Sequence, residues 1–160
     1  MAKEKEQPRT IKTVVRVPFE MAMGPTLARC YEAFKEEKIL GTKCKKCGRI
    51  LVPARPFCPR CFEPMEEWVE ASDTGTITST TIINYTYFGV DESMLPLPVI
   101  NLRLDGTDCD YNVMGHVTGL GTKDIEEISK KVKVGARVKA VWRKEKEGNP
   151  DDIESWELIE

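Results

Sequence analysis

The sequence has no apolar stretch long enough to cross a membrane. A transmembrane helix needs about 20 consecutive apolar residues, and no segment of the 160 residues approaches that length. The opening residues, MAKEKEQPRT, also lack the apolar core of a secretory signal. We therefore expect a cytoplasmic protein with no membrane partner. The 41% of apolar residues are enough for a globular core.

Histidine is nearly absent, which limits the chemistry that the chain can perform alone. His116 is the only histidine, so any Cys-His or Ser-His mechanism within this chain must use it. Cys109 lies between Asp108 and Asp110, whose charges disfavour a thiolate there. Cys109 and His116 are also an odd number of residues apart on one predicted strand, so their side chains would point to opposite faces. We favour a structural or interface role for His116 over catalysis.

Other catalytic signatures are missing as well. No glycine-rich phosphate loop follows a strand, and no convincing pair of carboxylates is present. A free-standing enzyme is therefore disfavoured, and we predict that no residue of this chain is catalytic.

Cysteine, in contrast, is abundant, with six residues in a short chain. In a reducing compartment, paired cysteines are more often metal ligands than disulfides. Four of them form the pattern CxxC-x10-CxxC, at Cys44, Cys47, Cys58 and Cys61. Each CxxC segment folds into a tight turn that directs two sulfurs to one point, and two such turns complete a tetrahedral shell. This spacing predicts one structural zinc ion, with iron or a redox dithiol as the alternatives.

The surroundings of the four cysteines fit such a site. Gly48 directly follows the first pair, where a turn commonly needs a positive φ that glycine adopts freely. With four thiolates and no open coordination position, the ion could not activate water or a substrate. Cys30 and Cys109 are predicted to be free. For Cys30, on a predicted helix beside Tyr31, we favour packing as a small apolar residue over a reactive thiol.

Charge is distributed unevenly along the chain. Residues 38–61 contain seven Lys or Arg and no Asp or Glu, whereas residues 62–160 contain 10 basic and 20 acidic residues. Basic side chains near the cysteines would offset the formal −2 charge of a zinc tetrathiolate. The basic segment therefore has a structural explanation that needs no ligand.

The chain divides into four parts by composition. Residues 1–24 form an N-terminal extension, whose TVVRVPFEM run could be a short extended segment. Pro25, the helical spacing of Leu27, Tyr31 and Phe34, and the stop at Gly41 predict an amphipathic helix over 25–41. Its apolar stripe is interpreted as a docking face. Residues 42–65 are the zinc ribbon, and 66–160 are the β-rich part.

The β-rich part predicts an OB-fold. It contains six runs rich in β-forming residues, EEWVEA, GTITSTTIINYTYF, LPVINLRL, CDYNVMGHV, ARVKAVWRK and IESWELI. Ile125, Ile128 and Val132 predict a helix between the third and fourth long strands. A five-stranded barrel with a helix at that place is the layout of an OB-fold. The predicted class is mainly β: an N-terminal helix, a rubredoxin-like zinc ribbon and a five-stranded OB-fold barrel.

The loop between the first two long barrel strands is unusually apolar. Tyr85 and Tyr87 alternate along the strand before it and are interpreted as barrel core. The segment from Phe88 to Pro98, which includes MLPLP, could contact a protein partner or an acyl chain at the mouth of the barrel.

Residues 40–70, LGTKCKKCGRILVPARPFCPRCFEPMEEWVE, followed by GTITSTTII, resemble a known family. These are the thiolase-associated zinc-ribbon and OB-fold proteins, in which a helix leads into "GxxCxxCGRVxxPPRxxCPxC", a Trp-Val strand and "GxGTVxSxT". The matching residues are Gly41, Cys44, Cys47, Gly48, Arg49, Pro53, Arg55, Pro56, Cys58, Pro59, Cys61, Trp68, Val69, Gly75, Thr76, Ser79 and Thr81. The resemblance spans residues 25–160. Ala54 stands where the family often has a second proline.

The resemblance implies a subunit with no activity alone that is required in a thiolase-like acyltransferase or lyase complex acting on acyl-CoA. A thiolase of aromatic-compound breakdown, such as benzoylsuccinyl-CoA thiolase, is one such complex. The subunit would scaffold a thiolase-like catalytic partner and help to bind coenzyme A. Arg49 and Arg55 are then candidates for the CoA phosphates, with charge compensation of the zinc thiolates as an equal explanation.

A single-stranded nucleic-acid-binding module is the alternative function, because zinc ribbons and OB-folds often bind single strands. The charge distribution argues against it. An OB-fold that binds polyanions needs a basic groove, whereas residues 62–160 carry a formal charge of −10. We therefore expect no nucleic-acid partner.

Overall fold

The described strands form two sheets, a three-stranded sheet and a closed five-stranded barrel. A computed structural model describes residues 10–11, 19–86, 91–108 and 113–159. The described strands are β1 (Ile39–Lys43), β2 (Ile50–Leu51), β3 (Glu67–Ala71), β4 (Thr74–Ile83), β5 (Leu97–Leu104), β6 (Val113–Thr118), β7 (Arg137–Trp142) and β8 (Ile153–Ile159). The described helices are α1 (Pro25–Phe34) and α2 (Ile125–Lys131), with 3₁₀ turns at Glu92–Met94 and Pro150–Asp152. Within these ranges no helix is long and apolar enough to cross a membrane.

Helix α1 begins where the sequence predicts but ends earlier. Proline occupies its first turn, where the missing N–H leaves no hydrogen bond unmade. The helix stops after Phe34: the Lys38 N–H donates to the Ala33 carbonyl at 3.1 Å, and Glu37 adopts a positive φ of 59°. The prediction of helix through residue 41 was wrong at its end, because residues 39–43 pair as β1 instead.

The smaller sheet has the strand order β2-β1-β3, and all its pairs are antiparallel. Gly41 in β1 lies against the backbone of β2. A Cβ atom at Gly41 would lie 2.7 Å from the Leu51 carbonyl oxygen, so this close approach requires glycine. Strand β3 pairs with β1 over its whole length. The prediction assigned this strand to the OB-fold, starting at residue 66. In the structure the ribbon sheet continues through Ala71 before the chain enters the barrel.

The larger sheet closes into a five-stranded barrel with the order β4-β5-β6-β8-β7. Neighbouring strands are antiparallel except β6 and β8, which run parallel. Helix α2 lies between β6 and β7, and the Asp124 carboxylate caps it by accepting from the Glu127 N–H at 2.9 Å. This architecture confirms the predicted OB-fold and the position of its helix. Tyr87, Phe88 and Cys109 lie outside the described residues.

Ribbon and barrel share one hydrophobic core. The barrel contributes alternating inward residues, of which Leu102 and Trp156 are almost completely buried, and the ribbon contributes Ile39 and Val52 to the same cluster. Trp156 requires a glycine opposite it, because a Cβ atom on Gly115 would lie 2.5 Å from the indole ring. Since apolar burial is the main stabilising term, the two parts support each other.

Polar and aromatic contacts reinforce this junction. The Ile50 N–H donates to a carboxylate oxygen of Asp108 at 3.0 Å, and the Asp108 N–H donates to the Ile50 carbonyl at 3.0 Å. On α1, Phe34 packs edge-on against Trp142 with ring centroids 5.4 Å apart. The apolar stripe of α1 therefore docks within the chain itself.

Asp152 organises the connection between β7 and β8. Its side chain is 1% exposed, and its carboxylate accepts backbone N–H groups from Glu147, Gly148 and Asn149 at 3.0, 2.7 and 3.2 Å. Burial opposes ionisation of this group, but the three hydrogen bonds outweigh it and hold the pKa of Asp152 below its ordinary value.

We predict that Asp152→Asn lowers the free energy of unfolding by about 1–3 kcal/mol at pH 7, because a neutral amide accepts the buried N–H groups less well. A carboxylate whose pKa is lowered in the folded state stabilises the fold above about pH 4, and that stabilisation fades as pH falls. The deficit of the variant should therefore shrink below pH 4. Urea unfolding from pH 7 to pH 3 measures it.

The neighbouring Asp151→Asn is the matched control. Asp151 is exposed, and its contact with Asn149 is made by its backbone N–H, which the substitution leaves in place. It should change the unfolding free energy by less than about 0.5 kcal/mol. Equal effects of the two substitutions would contradict the role assigned to Asp152.

Candidate metal centre

Two turns of similar backbone geometry carry the four cysteines of the ribbon. In the first, the Gly48 N–H donates to the Cys44 carbonyl at 2.8 Å. In the second, the Phe62 N–H donates to the Cys58 carbonyl, also at 2.8 Å. Each turn is closed by one further bond, from Cys44 N–H to the Arg49 carbonyl and from Cys58 N–H to the Glu63 carbonyl, both 2.9 Å. The structure thus places the two CxxC segments in equivalent conformations.

The four sulfurs converge on one point. All lie within 4.8 Å of one another, and the Sγ atoms of Cys47 and Cys58 are 3.7 Å apart. A tetrahedron with Zn–S bonds of about 2.3 Å has S–S edges of about 3.8 Å. Cys44 and Cys58 are fully buried, while Cys47 and Cys61 are partly exposed. The arrangement fits a structural tetrathiolate metal site.

The thiols cannot all ionise without a cation between them. Desolvation opposes ionisation of Cys58, but backbone N–H groups of Cys61 and Arg60 and the thiols of Cys44 and Cys47 lower its pKa to about 7. Hydrogen bonding to Cys47, together with desolvation, raises the pKa of Cys61 to about 12. Hydrogen bonds among the thiols, burial and nearby charge together favour one thiolate and oppose a second. A bound divalent cation would remove this conflict.

Few other contacts hold the ribbon together. Its own buried cluster contains the cysteines, Leu51 and Met65. Thr42 is fully buried, and its hydroxyl both donates to the carbonyl and accepts from the N–H of Arg55, each at 3.0 Å. These two bonds fasten the loop after β2 onto β1. With so small an apolar cluster around the cysteines, burial alone gives this region little stability.

Three lysines of the basic segment are paired with glutamates from beyond the last cysteine. Lys43 pairs with Glu67, Lys45 with Glu66 and Lys46 with Glu63, at N–O distances of 3.6, 3.6 and 3.3 Å. Such exposed pairs contribute at most about 1 kcal/mol each. Counting charges by segment missed these pairs, because their acidic members follow residue 61. The face is therefore less basic than the sequence suggested.

Phe62 has an unusual conformation for its residue type. Its φ is 58°, in the left-handed region where Gly48 lies in the equivalent turn with a φ of 75°. That conformation costs a residue with a Cβ atom about 1–2 kcal/mol. The Phe62 side chain is 82% exposed, so packing within the ribbon does not compensate. The sequence offered one signal, the position of Phe62 directly after a CxxC pair, and it was overlooked.

The two arginines predicted to bind CoA lie on different segments. Arg49 directly follows the first cysteine turn, whereas Arg55 is exposed in the loop before the second. Arg55 lines a groove of about 480 Å³ together with residues 24–27 at the start of α1 and residues 53–56. That groove places Arg55 across from the start of α1, where no side chain caps the helix.

Cys30 and His116, the remaining candidate residues, lie among packed residues of the fold. Cys30 is 2% exposed, its Sγ lies 3.7 Å from the Leu40 carbonyl oxygen, and burial raises its pKa. Its environment is that of a packed thiol. His116 pairs with Val99 across β5 and β6 and is half-buried beside a groove of about 270 Å³ that Pro98 also lines. The predicted separation of Cys109 from His116 stays untested, since Cys109 lies outside the described residues.

Several known proteins are similar to this chain. A "DUF35 domain-containing scaffold protein" from Methanocaldococcus jannaschii is 24% identical over 129 residues, which cover 79% of this chain and 84% of the relative. A protein of the same description from Pyrococcus furiosus is 28% identical over 128 residues, covering 79% and 85%.

Two solved structures share the fold. A DUF35-family protein of unknown function from Sulfolobus solfataricus matches with a TM-score of 0.58 and 26% identity, covering 84% of each chain. A chain of the "Ltp2-ChsH2(DUF35) aldolase" matches with a TM-score of 0.57 and 21% identity, covering 87% of this chain and 97% of that one. At this identity the second match concerns the fold alone.

The family comparison follows the two parts of the structure. The family described as "ChsH2, rubredoxin-like zinc ribbon domain" matches residues 32–66, which contain all four cysteines of the candidate metal centre. The family described as "ChsH2, C-terminal OB-fold domain" matches residues 68–143, which contain most of the barrel. The zinc-ribbon match falls on the first two strands of the smaller sheet and the cysteine turns, and the OB-fold match falls on most of the barrel. The chain therefore carries a zinc ribbon of the ChsH2 type followed by an OB-fold domain of the ChsH2 type.

Proposed function

We propose that this protein is a non-catalytic, zinc-binding scaffold subunit of a complex that processes acyl-CoA, with a thiolase-type enzyme as its catalytic partner. The observation that carries the proposal is the closed set of four sulfurs in a ribbon that shares its core with an OB-fold barrel. A metal with four protein sulfurs has no free position for a substrate, so its role is to shape the ribbon.

The assignment of zinc to Cys44, Cys47, Cys58 and Cys61 is supported by chemistry and by family. Four thiolates in tetrahedral arrangement favour zinc or iron, and zinc adds no redox activity. The matching family is described as a zinc ribbon. Because a preformed site of this kind does not exist in the unfolded chain, metal binding would contribute directly to folding.

A catalytic partner is supported by the relatives. Two of them are described as scaffold proteins, and the name of the solved aldolase joins a ChsH2 chain to a second component, Ltp2. A scaffold of this class supplies surfaces rather than catalytic groups. The acyl-CoA substrate and the thiolase class of the partner, including a benzoylsuccinyl-CoA thiolase, follow from the resemblance of residues 40–83 described above.

A contribution to coenzyme A binding is assigned to Arg49 and Arg55. Guanidinium groups bind phosphates through two parallel hydrogen bonds. Arg55 has the better setting, because it borders an apolar groove at the start of α1, where backbone N–H groups and the helix dipole favour a negative charge. Arg49 would act as a second, more distant positive charge.

We predict that the purified protein contains about one zinc per chain and that Cys47→Ser removes it, because three remaining ligands hold the ion poorly. Elemental analysis measures the metal. Near-ultraviolet circular dichroism reports whether the ribbon stays folded. Cys30→Ala is the control and should retain the metal, since Cys30 is distant from the sulfur cluster in sequence and buried in another contact. A Cys47→Ser protein with a full zinc equivalent would refute the site.

We predict that the chain alone neither cleaves nor forms CoA thioesters, and that its proposed thiolase-type partner becomes active only in the complex. Co-expression, size-exclusion chromatography and a turnover assay test this. Full activity of a partner that elutes without this chain would contradict the scaffold function.

Within an active complex, Arg55→Glu should raise the KM for the CoA substrate about tenfold or more, the effect of losing one charged phosphate contact. The subunits should remain associated. Lys144→Glu, just after β7, is the control for a general charge effect, because Lys144 is exposed and does not line the groove. An unchanged KM for Arg55→Glu would remove this residue from the CoA site.

A further inference from the structure

We propose that the second cysteine turn inserts an aromatic anchor into an apolar pocket with an acidic rim on the catalytic partner subunit. We call this surface the ribbon tip and define it by Phe57, Pro59, Arg60 and Phe62. The inference rests on the proposed scaffold function and specifies which surface of the chain performs it.

The exposure of the two phenylalanines is the first argument. Phe62 is 82% exposed and Phe57 is 59% exposed, whereas Leu51 and Met65 of the same ribbon are 3% and 4% exposed. The ribbon therefore buries apolar residues where its fold needs them. Two large aromatic side chains left in water at one turn are characteristic of a surface that a partner covers.

The backbone of Phe62 is the second argument. Both cysteine turns make the same hydrogen bonds, and both place the next residue at positive φ. The first turn has Gly48 there, which adopts this conformation freely, while the second has a phenylalanine, which does not. The stability of the ribbon would favour glycine at both positions. Local strain that folding does not require points to a function for the strained side chain.

The tip is also rigid, which favours binding. Phe57 forms an antiparallel bridge with Pro64, and the Cys58 N–H donates to the Glu63 carbonyl at 2.9 Å. Between these bonds lie two of the four cysteines of the metal centre. An anchor that is held in position before binding loses little conformational entropy when the complex forms.

The charge of the tip defines the chemistry of its partner. The three nearby lysines are each paired with a glutamate. Arg60 is exposed, and no carboxylate pairs with it among the described residues. Aromatic residues and arginine together are the composition of protein–protein hot spots, and an unpaired guanidinium selects a carboxylate on the opposing surface.

The decisive variant is Phe62→Gly, which removes the anchor and also relieves the strained backbone. In a titration of the full chain against the purified thiolase-type partner, its dissociation constant should be about 30-fold higher than that of the wild type. Its zinc content should be unchanged, and its melting temperature should be equal or higher. Weak binding could then not be attributed to an unfolded ribbon. Met114→Ala, which removes a side chain that is 71% exposed on the barrel, should bind like the wild type.

A second variant, Arg60→Glu, tests the acidic rim. Added salt should weaken the wild-type complex by screening the attraction, and it should fail to weaken the complex of the variant. An identical salt dependence of both proteins would overturn the charged part of the proposal.

The outcomes separate this inference from the scaffold function. If the wild type forms no complex with the partner, both proposals fail together. If the wild type binds and Phe62→Gly binds equally well, the scaffold function stands and the ribbon tip is excluded as its anchor. If the wild type binds a fluorescein-labelled single-stranded oligouridine and Phe62→Gly does not, the tip is a nucleic-acid site and the proposed docking is wrong.

Discussion

The four sulfurs of the ribbon are held within 4.8 Å of one another by backbone bonds on both cysteine turns. At this distance one thiolate is stabilised and a second is strongly opposed, as the divergent pKa values of Cys58 and Cys61 indicate. A cation is the physical solution to this repulsion. Because the buried cluster around the cysteines adds only Leu51 and Met65 among the described residues, the cysteine turns depend on how that repulsion is resolved.

The barrel depends on the ribbon through their common core. Ile39 and Val52 leave the ribbon sheet to pack with barrel residues such as Leu104, and the hydrogen bonds between Ile50 and Asp108 fix the two parts edge to edge. Helix α1 closes the same junction through Phe34 and Trp142. A change in how Ile39 and Val52 pack would therefore affect both the ribbon and the barrel.

This construction suits a protein whose role is to present surfaces. The apolar side of α1, which the sequence alone suggested as a docking face, packs within the chain through Cys30 and Phe34. Exposed apolar side chains remain at several places among the described residues: Tyr85, which the sequence assigned to the barrel core, is 67% exposed and Met114 is 71% exposed, besides Phe57 and Phe62 of the ribbon tip. The groove that Arg55 borders is also open. The tip and the Arg55 side of the groove belong to the ribbon, where the cysteine turns and the Thr42 hydrogen bonds fix the backbone. The start of α1 forms the other side of the groove. Binding surfaces on a preorganised scaffold lose less entropy on association than surfaces on mobile loops.

Patterns of short range were sufficient for much of this structure. The CxxC-x10-CxxC spacing determines two local turns, so it identified the four cysteines that come together. The β-rich runs and the helical spacing of Ile125 and Ile128 likewise identified the barrel strands and α2, and their order identified the OB-fold. In each case the signal lies within a few residues of the element it describes.

Contacts between distant segments decided the rest. Helix α1 ends at Phe34 because residues 39–43 pair with β3, more than twenty residues later. The same pairing assigns β3 to the ribbon sheet and brings Glu67 to Lys43. The exposure of Phe62 follows from the fold around the second turn. Amino-acid sequence by itself determined the two cysteine turns and the order of elements, since these depend on local geometry. Tertiary structure decided which strands pair, which charges cancel and which aromatic residues stay in water, since these depend on how the whole chain packs.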